Sequence, residues 1–221
     1  MATREEKTND LREKIIQSAE KYSQELAGKV FLYVVGTEYF EVNFPTDRFR
    51  HLTGVCTTLS AREFYKKAKT RTLENSQFDI GDEQQYRNAK KKLSCLHLLP
   101  DLTNKLVCVV KDMRTQKSHI VYKLGITNLS FTVGLTENQD LSGNRLNGWY
   151  VPQTLRVNDK AIENSQDSDF VDFILMREAT KDKYETVMYS DPDKHLPETV
   201  AAMLNEELWE RFYGEEETSS C

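Results

Sequence analysis

The sequence predicts an α+β fold: an antiparallel sheet with helices packed on one face, plus N-terminal and C-terminal helices. Apolar residues recur at three- and four-residue spacing early in the chain and again near its end, while from Lys105 onward they fall into short β-rich runs. Helix, hairpin, two helices and sheet follow one another without the regular βαβ alternation of a doubly wound fold.

Each element has a local cause. From Arg4 to Leu26, Leu11, Ile15, Ala19, Tyr22 and Leu26 form one apolar stripe, and Gly28 stops the helix. Lys29 to Val35 and Tyr39 to Phe44, joined by Gly36-Thr37, read as a hairpin that Pro45 ends. Ser60 and Glu63 form a capping-box start for a helix reaching about Arg71, and a second helix runs from Glu83 to Leu98 before Pro100. Tyr86, Ala89, Leu93 and Leu96 face inward on that second helix, with Arg87, Lys90 and Lys91 outward.

The β-rich runs lie at about 105–111, 118–124, 127–135, 148–157, 169–177 and 184–189 and read as an antiparallel meander, interrupted by polar loops at 137–147 and 159–167. A last helix runs from about Pro197 to Tyr213. The expected organisation is therefore an N-terminal helix at 1–28, an α+β domain at 29–190, a C-terminal helix at 191–214 and a disordered tail at 215–221.

With 221 residues the chain can bury a core without staples, and Cys56, Cys95, Cys108 and Cys221 show no CxxC spacing, so reduced thiols of a cytoplasmic protein are expected. The first 28 residues lack the apolar centre of a signal peptide, and the longest apolar runs are strand-sized, so no membrane role is expected. The net charge of -5 hides an asymmetry: residues 1–46 carry -2, residues 47–123 carry +8, and residues 124–221 carry -11. A basic middle between acidic flanks suits either an anion-binding face or a basic segment folded against the chain's own acids.

No GxxxxGK, GxGxxG, HExxH or GxSxG motif occurs, and the four histidines lack metal-ligand spacing, so neither cofactor nor metal is expected. His51 stands out, preceded by Arg48 and Arg50 and followed by Thr53-Gly54: it reads as a proton carrier near neutral pH or as a histidine that ties down the turn. His97, His119 and His195 read as packing or surface residues. In the run Lys90-Lys91-Lys92 successive side chains point about 100° apart, so one of them can hold a phosphate while the others are solvated. Arg156, at the end of Trp149-Tyr150-Val151-Pro152-Gln153-Thr154-Leu155, reads as a phosphate grip or a surface arginine. Phe64, Tyr65, Tyr122, Trp149 and Tyr150 read as core residues or as stacking platforms for bases.

The stretch Tyr39 to Lys69, YFEVNFPTDRFRHLTGVCTTLSAREFYKKAK, resembles the opening of the phage Barnase-EndoU-colicin-RelE-like nucleases, in the branch with an F-x-HLTG signature followed by an EFY-type helix. Phe49 to Gly54 and Glu63-Phe64-Tyr65 carry the likeness, and the lysine-bearing helix, the meander and Val151 to Arg156 follow in the same order, so it spans roughly residues 38–190. The terminal helices lie outside it.

The resemblance implies helices on one face of an antiparallel sheet, an active site on the other, and metal-free RNA cleavage through 2′-OH attack to a 2′,3′-cyclic phosphate. It implies His51, Lys92, Arg156 and Thr154 as catalytic residues, with Thr53, Tyr65, Lys66 and Lys91 binding substrate. RNA is then the expected partner, in a host cell's cytoplasm if the chain is phage-encoded, with a homodimer through the terminal helices as a further expectation. The competing reading is a non-catalytic phage accessory protein that inhibits a host defence protein, its acidic last third meeting a basic surface.

Overall fold

The computed structural model describes residues 2–115, 118–140, 142–157, 163 and 165–214. The N-terminal helix α1 (Arg4–Glu25) is opened by a capping box between Thr3 and Glu6, and Gly28 takes φ 81° just past its end. Strands β1 (Lys29–Val35) and β2 (Glu38–Asn43) form the expected hairpin. Four helices follow: α2 (Phe49–Thr53), α3 (Ala61–Lys69), α4 (Glu83–Leu96) and the short α5 (Asp101–Asn104). Next come β3 (Cys108–Thr115), β4 (Ser118–Thr127), β5 (Phe131–Gln139), β6 (Arg145–Val157), β7 (Asp167–Phe170), β8 (Phe173–Glu178) and β9 (Thr186–Ser190).

These nine strands make one sheet in the order β7-β3-β4-β5-β6-β2-β1-β8-β9. Every pairing is antiparallel except β2 with β6, which are parallel and meet only at Glu41–Trp149 and Val42–Tyr150. A meander over β3 to β6 is thus joined to a second antiparallel half by a two-residue ladder.

The single strand expected at 169–177 is two strands at different places in the sheet. Phe170 pairs with Cys108 on β3, whereas Phe173 pairs with Val34 on β1. Between them Asp172 accepts a hydrogen bond from the Gly36 backbone N–H at 2.6 Å and donates its own N–H to Val34 O at 2.8 Å. An apolar run gives no sign of such a transfer, because either half alone satisfies a strand pattern.

The continuous helix expected at 197–213 is also divided. A 3-10 segment (Glu198–Met203) ends at extended Leu204, and Asn205, accepting from Leu208 N at 2.9 Å, caps a new helix α6 (Glu206–Tyr213). The polar loop expected at 137–147 is shorter, since β5 reaches Gln139 and β6 starts at Arg145. There Asp140 Oδ1 accepts from Ser142 and Asn144 N–H groups. The expected tail at 215–221 and most of the 159–167 loop lie outside the described residues.

Two cores sandwich the sheet. Phe31, Tyr33, Val109, Ile126, Val133 and Leu155 pack under α1 to α4 on one face. Val30, Leu32, Val34, Phe173 and Leu175 meet Val200, Leu204 and Leu208 on the other. The α1 stripe is spent inside the chain, with Leu11, Ile15 and Ala19 fully buried.

Candidate functional site

Beyond Tyr150, no strand among the described residues pairs with the outer edge of β6, and α2 and α4 pack there instead. Helix α2 is pinned by fully buried Phe49 and Leu52. The Thr53 hydroxyl donates to Arg50 O at 2.7 Å and accepts from Val55 N at 3.3 Å, and Gly54 closes the turn at φ 77°. This arrangement leaves His51 exposed on the last turn of α2.

The Arg50 and Arg48 charges act on His51, as does that of Lys92 on α4. Burial first, then Arg50 and Arg48, hold the His51 pKa below its ordinary value, with Asp47 opposing them. Burial, together with the Arg156 guanidinium, likewise lowers the Lys92 ammonium. Lys92 therefore lies within charge range of His51 on α2 and, separately, of Arg156 on β6. Arg48 joins them and donates through Nη1 to Gln153 Oε1 on β6 at 3.0 Å.

Among the described residues Arg48, Arg50 and Lys92 form no ion pair. Asp47 is the carboxylate whose charge opposes these cations at His51.

The other expected site residues fall in different places. Thr154 is half-buried on β6 opposite Gly134, two residues from Arg156 and in the row of the sheet that does not face the helices. Lys66 and Lys91 are exposed on α3 and α4. Thr53 is fully buried and its hydroxyl is committed to the α2 turn, so it positions Gly54 and does not face solvent. Tyr65, 6% exposed, packs edge-on against Tyr22 and Phe49 and leaves no open ring face for a base.

Sequence reasoning gave Arg48 no role of its own and missed its tie to Gln153. Its place three residues before His51 was the available signal, since residues at that spacing share one side of a helical turn. The Gln153 contact was invisible, because 105 residues separate the pair.

Among the described residues no group of three His, Cys, Asp or Glu side chains could hold a metal, and no helix is long and apolar enough to cross a membrane. Cys56, Cys95 and Cys108 are free thiols.

No curated protein and no solved structure matches the chain. A family model does, over residues 14–192: PBECR4, described as phage-Barnase-EndoU-ColicinE5/D-RelE like nuclease4. The match begins inside α1, so the second half of the N-terminal helix belongs to the family region, although the resemblance had left that helix outside, while the 3-10 segment and α6 lie beyond it. Covering most of the chain and the whole of the cationic site, this match shows that the protein belongs to the PBECR4 family of Barnase-EndoU-colicin-RelE-like nucleases.

Proposed function

We propose that the protein is a metal-independent endoribonuclease that cuts RNA by intramolecular attack of a ribose 2′-OH on the adjacent phosphate. The observation that supports this reading is the position of Lys92, laid across Gly54 beside His51 and within charge range of both His51 and Arg156. His51, its pKa lowered, is neutral at neutral pH and takes the 2′-OH proton as the 2′-oxygen bonds to phosphorus. Lys92 and Arg156 hold the non-bridging oxygens as negative charge builds on the phosphorane. The lowered pKa of Lys92 also makes its ammonium a better proton donor to the departing 5′-oxygen. The P–O5′ bond breaks, leaving a 2′,3′-cyclic phosphate and a 5′-OH. Residues 29–190 form the nuclease unit in this reading, and phage origin accords with the family's description.

The test incubates wild type, His51→Ala and Lys92→Met with structured and unstructured RNA in EDTA, then identifies the product ends. Cyclic-phosphate ends from wild type, with both folded variants at least a hundredfold slower, are the expected outcome. Absence of cleavage on every RNA, or equal cleavage by all three proteins, would replace it with the reading of a non-catalytic binding protein.

A further inference from the structure

A cleft of about 540 Å³ lies beside the cationic cluster, lined by Arg48, Gln153, Tyr122, Tyr150, Leu135 and Glu137 among others. That volume is in the range of small-molecule sites. Arg48 belongs to both places, since its charge acts on His51 and its guanidinium holds Gln153 at the cleft. Gln153 and Arg156 are three residues apart on β6, roughly 10 Å along the strand. A polynucleotide with its phosphate at Lys92 and Arg156 therefore carries a neighbouring nucleotide toward the cleft.

Two tyrosines line it. Tyr150 stands edge-on to Phe40, with the Arg145 guanidinium 5.9 Å from its ring centre. Tyr122 lies over Gly134, where an added Cβ would stand 3.0 Å from its ring and 2.9 Å from the Thr154 methyl. Gly134 thus lets the ring settle on the backbone beside Thr154.

Polar groups in the cleft have a direction. The Gln153 amide oxygen is taken by Arg48, which leaves its NH2 to donate. The Glu137 carboxylate is held only loosely, accepting from Gln139 Nε2 at 3.5 Å and lying 3.8 Å from Arg145, so it has capacity to accept. We propose that this cleft is a base-binding subsite taking one unpaired nucleobase beside the scissile phosphate, stacked on tyrosine and read by the Gln153 donor and the Glu137 acceptor. Adenine, cytosine and guanine each offer an amino group to the carboxylate. Uracil offers one N–H between two carbonyl oxygens that a carboxylate repels, so uracil is disfavoured. The inference rests on the nuclease reading for the phosphate that places the base.

The test titrates the full chain with the 3′- and 5′-monophosphates of the four ribonucleosides, alongside RNA cleavage. AMP, CMP and GMP are expected to bind about tenfold more tightly than UMP in at least one of the two series. Tyr122→Leu should weaken all four roughly tenfold by removing the stacking face. Glu137→Gln should reduce the preference over UMP to less than threefold while phosphate-dependent binding persists. Equal binding of the four nucleotides, or a preference that survives Glu137→Gln, would overturn the subsite while leaving RNA cleavage in place. A protein that neither cleaves RNA nor binds any of these nucleotides would remove the nuclease reading and the subsite together.

Discussion

The Lys92 side chain lies across Gly54, its Cδ 2.9 Å from the point where a Cβ on that glycine would stand. Gly54 is therefore required twice, for its left-handed φ of 77° and for the room it gives the lysine. Gly54→Ala should cost about 1–2 kcal/mol from the backbone conformation alone. It should also displace Lys92 and lower nuclease activity beyond what the stability loss explains. Urea melts combined with activity at a temperature where the variant stays folded separate the two effects.

Lys92 is held among cations and partly desolvated, which its charged form resists. Lys92→Met should accordingly leave the fold unchanged or stabilise it, by up to about 2 kcal/mol, while removing activity. A fall in melting temperature together with lost activity would assign Lys92 a structural part instead.

Because the folded-state pKa of His51 lies below its ordinary value near 6.5, the folded protein resists the proton that the unfolded chain accepts. The contribution of His51 to stability therefore declines as pH falls below about 6.5 toward the folded-state pKa. His51→Gln should flatten the pH dependence of stability in that window. In wild type the acidic limb of kcat/KM should lie below the pH at which an ordinary histidine titrates. With Lys92 as the proton donor proposed above, its lowered pKa should bring the alkaline limb below that of an ordinary lysine.

Asp172 stands where the chain passes from its pairing with β3 to its pairing with β1, its carboxylate on the Gly36 N–H. Asp172→Ala leaves that partly buried donor without its partner and should cost about 1–3 kcal/mol. Activity per folded molecule should be unaffected, since Asp172 lies between β7 and β8, away from the β6 edge. Thermal melts and initial rates on the same preparation check both halves of this expectation.

Glu41 accepts from Tyr184 Oη at 2.5 Å and from Arg177 Nη2 at 3.2 Å, while Arg177 lies over the Trp149 ring. This network sits at the two-residue ladder that joins the halves of the sheet. Glu41→Ala strands a largely buried guanidinium and should cost about 3–5 kcal/mol, read as a lower urea midpoint.

What the sequence determined by itself is local. The α1 stripe, the cap at Ser60, the hairpin and the inward row of α4 follow from short-range spacing, because helix faces and strand alternation depend on residues a few positions apart. His51 and the lysine run could be singled out from the residues, with Lys92 picked only through the family resemblance and its orientation left open. That was decided by the packing of α4, which buries Tyr86, Ala89 and Leu93 and thereby turns Lys92 toward Gly54 and leaves Lys91 in solvent.

Only tertiary structure separated β7 from β8, broke the last helix at Asn205 and put Tyr65 in the core, since each depended on partners far away in the chain: Cys108 and Val34 for the two strands, Tyr184 for Leu204, and Tyr22 for Tyr65. The meeting of Arg48 with Gln153 and of Lys92 with Arg156 has the same origin. A sequence records the chemistry of each side chain, whereas the distance between two of them is set by how the intervening elements bury their apolar faces.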